Sequence, residues 1–261
     1  AYRAAPTVLW ELGAEDLSIG VGPDGRNINS ECGSTHPETA ARKVVETRAD
    51  LGICLDGDAD RIVIIDETGK VADGDQLMGL IAARWAKQGR LAGNTLVATV
   101  MSNLGLERYL KQEGVTLERA NVGDRYVVEK MRESGFNLGG EQSGHVVMTD
   151  YGTTGDGLVA GLQFLAAMVE TGDKASTLSN VFTPVPQKLH NIRYSLGKAP
   201  LDEDVVKTAI ADAERQLGSQ GRILVRKSGT EPLIRVMGES EDSDLLDEAL
   251  GKIQNAVYSV I

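Results

Sequence analysis

Residues 51–61 read LGICLDGDADR, an apolar run that passes directly into three aspartates at alternate positions. The apolar half, from Leu51 to Leu55, has the length and composition of a buried β-strand. The acidic half, from Asp56 to Arg61, follows the end of that strand, where α/β sheets bind their ligands. The stretch therefore predicts an α/β protein with a functional loop at the carboxyl end of a strand.

Helical and strand patterns alternate on both sides of this stretch. We expect helices over 5–15, from 37 onward, and over 76–87, 104–112, 126–133 and 156–170, and strands over 17–21, 51–55, 61–66, 95–100, 115–118, 136–138 and 146–148. Regular alternation of this kind predicts sheets with helices packed on their faces. The fold class predicted for this part of the chain is α/β with mixed sheets.

The last third of the chain follows a different order. Residues 182–186 read FTPVP, and two prolines two residues apart continue neither a helix nor a central strand, so we expect a boundary there. Beyond it, strands are predicted over 189–194, 222–226 and 233–237, and helices over 204–217 and 245–257. This order predicts a small α+β unit after the α/β part.

Charge and cysteine content exclude several classes of protein. The 38 acidic residues outnumber the 27 basic ones, for a formal net charge of −11, which argues against a nucleic-acid partner because such binding depends on clustered Lys and Arg. No apolar stretch approaches the roughly 18 residues of a membrane helix. Cys32 and Cys54 are too few for a disulfide framework and form no CxxC pair. We expect a cytoplasmic protein with no membrane partner.

The three aspartates of residues 56–61 have the chemistry of a Mg²⁺ site. Small residues between them let the backbone curl, and hard oxygen ligands suit a cation that prefers six oxygens. An acidic, solvated turn without a ligand is the plain alternative. A calcium-binding EF-hand loop is rejected, because Arg61 occupies the position reserved for Gly and the flanks are strand-like.

A second loop, residues 139–145, reads GGEQSGH between two short predicted strands. Its glycines leave the polar side chains with little cover. Glu141 can accept hydrogen bonds from two adjacent sugar hydroxyls, and Ser143 and His145 add donors and acceptors. The alternative is a polar hairpin whose side chains satisfy the local backbone.

A third loop joins two apolar strands in residues 226–235, which read RKSGTEPLIR. Hydroxyls and backbone N–H groups around a Gly form an anion-binding concavity. Arg226 and Arg235 could add bidentate contacts to a phosphate. An ordinary hairpin loop with basic flanks is the alternative.

In this order and spacing the three loops resemble the α-D-phosphohexomutase superfamily, over essentially the whole chain. Ala59 stands where a Gly is often found in the metal loop of that superfamily. The other stretches that carry the resemblance are PDGRNIN at 23–29, CGSTHP at 32–37, VGDRYV at 122–127, GEQSGH at 140–145 and RKSGTEP at 226–232.

The resemblance implies three groups of site residues. The Mg²⁺ ligands are Asp56, Asp58 and Asp60. The residues beside the transferring phosphate or the sugar are Arg61, Arg125, Glu141, Ser143 and His145, of which Arg61, Arg125 and His145 are the implied catalytic residues. The residues implied to bind the phosphate that is not transferred are Arg226, Ser228, Gly229, Thr230 and Arg235.

The superfamily carries its phosphoryl group on a serine in an Ala-Ser-His-Asn motif of a first domain, and this sequence contains no Ser-His pair. The resemblance therefore implies the end of a second domain at 1–70, a third, sugar-binding domain at 71–183 and a fourth, phosphate-binding domain at 184–261. The sequence also opens in a helical segment with no preceding strand. We expect a chain that begins inside a longer polypeptide and is inactive by itself.

The implied activity is an isomerase that moves a phosphoryl group between two positions of a hexose phosphate, with Mg²⁺ as cofactor. A glucosamine phosphate is the expected substrate, and glucose and mannose phosphates are the alternative. A non-catalytic module that binds Mg²⁺ and a phosphosugar is a second alternative. For the whole enzyme, a homodimer is one form that the resemblance allows.

Overall fold

The computed structural model describes residues 1–195, 197–228 and 231–261. The helices are α1 (Ala4–Glu11), α2 (Glu38–Thr47), α3 (Gly74–Lys87), α4 (Leu104–Gln112), α5 (Asp124–Ser134), α6 (Gly157–Thr171), α7 (Ala175–Leu178), α8 (Asp204–Leu217) and α9 (Ser243–Tyr258). The strands are β1 (Leu51–Leu55), β2 (Ile62–Asp66), β3 (Val71–Ala72), β4 (Thr95–Thr99), β5 (Thr116–Ala120), β6 (Leu138–Gly140), β7 (Val146–Met148), β8 (Gln187–Arg193), β9 (Gly221–Lys227) and β10 (Leu233–Ser240).

One predicted strand, residues 17–21, is wrong. Within the described residues nothing pairs with this segment, and its alternating apolar side chains are exposed, so the period-2 pattern has no sheet to join. The first helix also ends at Glu11 rather than at residue 15. The short elements β3 and α7 were not predicted, because two and four residues carry too little periodicity to be recognised.

The chain divides into two compact units, one of Ala1–Ser102 with Leu106–Thr183 and one of Asn103–Gly105 with Pro184–Ile261. Unit 1 contains an antiparallel sheet, β1-β2-β3, and a mixed sheet of order β5-β4-β6-β7. Unit 2 contains the antiparallel sheet β8-β10-β9. The predicted mixed-sheet α/β fold followed by a small α+β unit is confirmed. None of the helices formed by the described residues combines the length and apolar character that crossing a bilayer requires.

The first sheet is covered on both faces, which explains why its strands are continuous apolar runs. On one face Cys54 and Ile65 form a buried cluster with Val44 of α2. On the other face α6 approaches closely at Gly161, where an added Cβ would lie 2.9 Å from Ile62 Cδ1. Because both faces are covered, the three clustered carboxylates come only after β1 ends, while Asp66 at the end of β2 is buried and accepts hydrogen bonds from Thr68 N and Lys70 N.

Side-chain caps set the starts of α3 and α6. Asp73 accepts a hydrogen bond from Gln76 N at 3.2 Å, and Asp156 accepts one from Val159 N at 3.0 Å. Each cap satisfies a backbone donor that the first turn of a helix leaves unpaired. Both helices therefore begin at defined residues beside the loops described below.

The core of unit 2 lies between one face of its sheet and the helices α8 and α9. Ile192, Ile234 and Val236 point to this face and are buried with Val206 of α8 and Leu250 of α9. Because strand side chains alternate between faces, the residues between them in sequence lie on the opposite face. That opposite face carries Arg222, Arg226, Arg235 and Glu239.

Burial raises the pKa of the Cys54 thiol to about 11, with smaller contributions from Cys32 and Glu38. At about pH 8 roughly one Cys54 thiol in a thousand is then a thiolate, which is the reactive form. We expect iodoacetamide to alkylate the partly exposed Cys32 of the native protein and to leave Cys54 unmodified, as measured by peptide mass spectrometry. Both cysteines should react in urea. Equal rates in the native protein would contradict the buried assignment of Cys54.

Candidate functional site

The acidic loop after β1 brings three carboxylates together. One oxygen from each of Asp56, Asp58 and Asp60 lies within 4.8 Å of the others. The curl depends on Ala59, whose φ of +60° is in the left-handed region and whose N–H donates to Asp56 O at 3.1 Å. Gly157 N, at the start of α6, donates to Ala59 O at 2.9 Å. The positive end of a helix dipole thus lies beside three negative groups and favours them.

The carboxylates repel one another and are incompletely paired. Burial, reinforced by the neighbouring Asp56 carboxylate, raises the pKa of Asp60 above its ordinary value, while His145 lowers it in part. Asp60 Oδ1 is buried and accepts no hydrogen bond from the described residues. Arg61 Nε lies 3.4 Å from Asp56 Oδ2 and 3.7 Å from Asp60 Oδ1, distances of loose ion pairs.

This donor set fits a divalent metal ion. Its ligand atoms are hard oxygens, it follows a strand end, and one of its buried carboxylate oxygens has no hydrogen-bond partner in the described part of the chain. A cation bound there would relieve the mutual repulsion of the aspartates and would satisfy that oxygen. The residues that could hold it are Asp56, Asp58 and Asp60.

The side chain of His145 is buried against the acidic loop rather than exposed to solvent. Its ring is 3% exposed, and Nδ1 lies 3.0 Å from Asp60 Oδ2. When Asp60 is ionised its carboxylate can only accept, and the His145 Nδ1–H is then the donor in this bond. The ring packs on Gly155, where an added Cβ would lie 2.5 Å from His145 Cε1. The imidazole thereby holds one oxygen of Asp60 in place.

The glycine-rich loop approaches β2 at backbone distance. Ile62 N donates to Gly144 O at 3.1 Å, and Arg61 pairs with His145 as an antiparallel bridge. Gly144 has a φ of +93°, and a Cβ added there would lie 2.0 Å from Ile62 O. Only glycine permits this approach, which joins the acidic and glycine-rich loops into one site within unit 1.

The start of α5, which carries Arg125, lies beside Glu141 of the glycine-rich loop. Glu141 Oε1 accepts a hydrogen bond from Gly123 N at 3.0 Å, just before the first residue of α5. Arg125 is exposed, and its guanidinium lies 4.4 Å from the ring centroid of Tyr126, to whose hydroxyl it also donates. Ser143 is exposed at the tip of the loop. The structure therefore places Glu141 beside the helix that carries Arg125.

In unit 2, Arg226 and Arg235 are direct cross-strand partners in the register of β9 and β10. Burial, and secondarily the neighbouring Arg235, lower the pKa of Arg226. Arg235 Nε is buried without a hydrogen-bond partner among the described residues. Ser228 follows β9 and donates its N–H to Leu233 O at 2.7 Å. The predicted site residues Gly229 and Thr230 lie outside the described residues.

Three supporting residues of unit 1 were missed from the sequence. Gly155 packs against the ring of His145, and Gly157 N donates to Ala59 O. Asp73 Oδ2 accepts a hydrogen bond from Gln142 Nε2 at 3.1 Å. For the two glycines the available signal was the sequence of residues 152–157, GTTGDG, a cluster of small and polar residues immediately before an apolar helix. Such a cluster also predicts an ordinary loop, so it did not single out a site.

The fold and the acidic loop define an α/β protein with three carboxylates that could hold a divalent cation. Residues 73–185 match the family model of phosphoglucomutase/phosphomannomutase, alpha/beta/alpha domain III, and residues 187–256 match that of the phosphoglucomutase/phosphomannomutase C-terminal domain. The two matches together cover more than two thirds of the chain. The chain belongs to the phosphoglucomutase/phosphomannomutase family.

Curated relatives are similar over nearly the whole chain. Phosphoglucosamine mutase of Ruegeria sp. (strain TM1040) is 66% identical over 98% of this chain and 58% of the relative. That of Jannaschia sp. (strain CCS1) is 65% identical with the same coverage. The chain thus spans less than two thirds of the length of the curated relatives it matches.

Solved structures share the fold at low identity. A phosphoglucomutase/phosphomannomutase family protein from Burkholderia thailandensis has a TM-score of 0.79 and 22% identity, covering 98% of this chain and 57% of that one. Aspergillus fumigatus N-acetylphosphoglucosamine mutase, in complex with GlcNAc-6P and magnesium, has a TM-score of 0.66 and 22% identity, covering 88% and 57%. These likenesses confirm the phosphohexomutase-type fold.

Proposed function

We propose that this chain forms the metal-, sugar- and phosphate-binding part of a phosphoglucosamine mutase, which interconverts glucosamine 6-phosphate and glucosamine 1-phosphate. The observation that carries the proposal is the joining of the acidic and glycine-rich loops through the backbone contact of Ile62 with Gly144 and the bond of His145 to Asp60. The identity of 62–66% to proteins of that name supports the choice of substrate.

In this proposal Asp56, Asp58 and Asp60 hold Mg²⁺, which neutralises negative charge that develops on the transferring phosphoryl group. The chain's own contribution is to position these carboxylates. Asp56 anchors the loop by accepting from Arg61 N at 3.2 Å, and His145 fixes the orientation of Asp60. In this proposal His145 affects the reaction indirectly, because it orients Asp60, a ligand of the metal ion.

Arg61 and Arg125 are the proposed partners of the transferring phosphate. Among the described residues the guanidinium of Arg61 makes only the loose ion pairs with the aspartates, so it is available to a phosphate once a cation occupies the carboxylates. Glu141 and Ser143 are proposed to bind the sugar hydroxyls. The bond from Gly123 N to Glu141 orients that carboxylate for this task.

On unit 2, the proposed site for the second phosphate consists of Arg226, Ser228, Gly229, Thr230 and Arg235. Arg226 and Arg235 are direct cross-strand partners, so their like charges repel, and a phosphate dianion bound between them would reduce that repulsion. A mutase needs such a site because it must hold the phosphate that is not being transferred at either end of the sugar.

The complete reaction is proposed to pass through a phosphoserine and a sugar bisphosphate. The resemblance places that serine in a Ser-His pair, which is not found among the 261 residues, so we propose that this chain alone binds ligands without turnover. The proposed domains of the chain are residues 1–70, 71–183 and 184–261. A cytoplasmic location and a homodimer of the whole enzyme are further parts of the proposal.

Calorimetric titration of the purified chain tests the proposal. With Mg²⁺ present, glucosamine 6-phosphate should bind more tightly than glucose 6-phosphate or mannose 6-phosphate, and none should be isomerised. Equal or tighter binding of the glucose and mannose phosphates would favour a phosphoglucomutase or phosphomannomutase. Absence of phosphosugar binding would overturn the proposed site, and turnover by this chain would overturn the proposed need for a serine outside it.

A further inference from the structure

The face of the unit 2 sheet that points away from α8 and α9 carries more than the two arginines named above. In the strand register, Arg235 of β10 is the partner of Arg226 on one side and of Asn191 on the other. Arg193 lies two residues further along β8 and therefore on the same face as Asn191. Directly opposite residues have Cβ atoms about 5 Å apart, within reach of a shared small ligand.

This row of side chains has an excess of hydrogen-bond donors. Within the described residues neither Arg226 nor Arg235 pairs with a carboxylate, and Arg235 Nε is buried without a partner. Burial and the neighbouring Arg235 lower the pKa of Arg226, as expected for two cations held together without an anion. The exposed amide of Asn191 adds two donors directly across from Arg235.

The end of β8 also runs beside the loop that joins β9 and β10. Tyr194 N donates to Pro232 O at 3.1 Å, immediately after Arg193 in the sequence. Arg193 Nη2 lies 3.8 Å from Glu231 Oε1, with side chains 77% and 49% exposed. An ion pair this long and this exposed contributes little, so the guanidinium can turn to a stronger acceptor at small cost.

We propose that Asn191 and Arg193 are further phosphate-binding residues, which extend the anion site of unit 2 onto its first strand. The inference rests on the proposed phosphate site of Arg226 and Arg235. The ligand class is a phosphate monoester dianion, whose three terminal oxygens accept from the Asn191 amide and the guanidinium of Arg193 as well as from the β9 and β10 arginines. Neither Asn191 nor Arg193 belongs to the RKSGTEP segment that the sequence singles out.

The test is calorimetric titration of the whole chain with inorganic phosphate in EDTA, so that no metal-bound phosphate contributes. Arg193→Ala should weaken binding by about tenfold, the loss of one charge-assisted contact. Asn191→Asp should weaken it further, because it sets a carboxylate opposite Arg235. Lys188→Ala is the matched control. It removes one positive charge from the same strand, but on the helix-facing side, where Lys188 Nζ bonds Asp247.

The inference is supported if Arg193→Ala and Asn191→Asp weaken phosphate binding while Lys188→Ala stays within about twofold of the parent chain. Circular dichroism and thermal unfolding verify that each variant is folded. If Arg235→Ala alone weakens binding and the Asn191 and Arg193 variants match the control, the extension is overturned and the proposed phosphate site stands. If the parent chain binds no phosphate in EDTA, both are overturned.

Discussion

Replacing Asp58 by Asn is expected to lower the affinity of the chain for Mg²⁺ or Mn²⁺ by at least about tenfold, because ligand charge sets the strength of an oxygen site. Asp58 is the exposed member of the three carboxylates, so its removal disturbs the fold least. Without metal, the variant should unfold at the same or a slightly higher denaturant concentration, since one like-charge repulsion is gone. Titration calorimetry and urea unfolding measure the two effects.

Asp50→Asn is the control for the Asp58 variant. Asp50 is also exposed and lies one residue before β1, so it carries the same charge at the opposite end of the same strand. Its replacement should leave metal affinity unchanged. If the two variants bind Mn²⁺ equally well, the acidic loop is a solvated turn rather than a metal site, and the proposed role of Mg²⁺ in this chain is wrong.

Replacing Gly144 by Ala is expected to destabilise the chain by about 3 to 5 kcal/mol, the range of severe single substitutions. Two costs combine at this position. The backbone has a φ of +93°, and the added Cβ would lie 2.0 Å from the carbonyl oxygen of Ile62. Relief requires the glycine-rich loop to move away from β2, which breaks the bond from Ile62 N to Gly144 O. Urea unfolding of the parent chain and the variant gives the difference.

Gly172→Ala separates these two costs. Gly172 has a φ of +72° at the end of α6, and the described residues place no neighbouring atom within 4 Å of an added Cβ. Its replacement should cost only the left-handed backbone, about 1 kcal/mol. If Gly144→Ala costs no more than Gly172→Ala, the close approach of the two loops is not rigid, and the joined site is less defined than the geometry indicates.

Most of the secondary structure was predictable because the periodic elements are long enough to recognise. The bounds of α4 and α8 agree with the predicted ones, since both are amphipathic helices with defined starts and ends. The prediction of a strand at 17–21 was wrong because alternating apolar and polar residues show only that a segment could join a sheet. Whether a partner strand is present depends on distant parts of the chain.

The acidic loop was identifiable because its chemistry is contained in six consecutive residues. The supporting contacts of Gly155, Gly157 and Asp73 were not, since each is a small or common polar residue whose role depends on the side chain or backbone packed against it in the fold. The orientation of His145 was also missed. In the sequence it is one polar group of a glycine-rich loop, and in the structure it is buried against Asp60.

The sequence by itself determined the α/β class, the helices and strands of useful length, and the chemistry of three polar loops. These are local properties, set by periodicity and by residue type within a few positions. Only the tertiary structure decided that Asp60 and His145, 85 positions apart, are in contact, and that Arg226 and Arg235 are direct partners. Such contacts depend on strand register and on glycines that permit close backbone approach, and these follow from the packing of the whole unit.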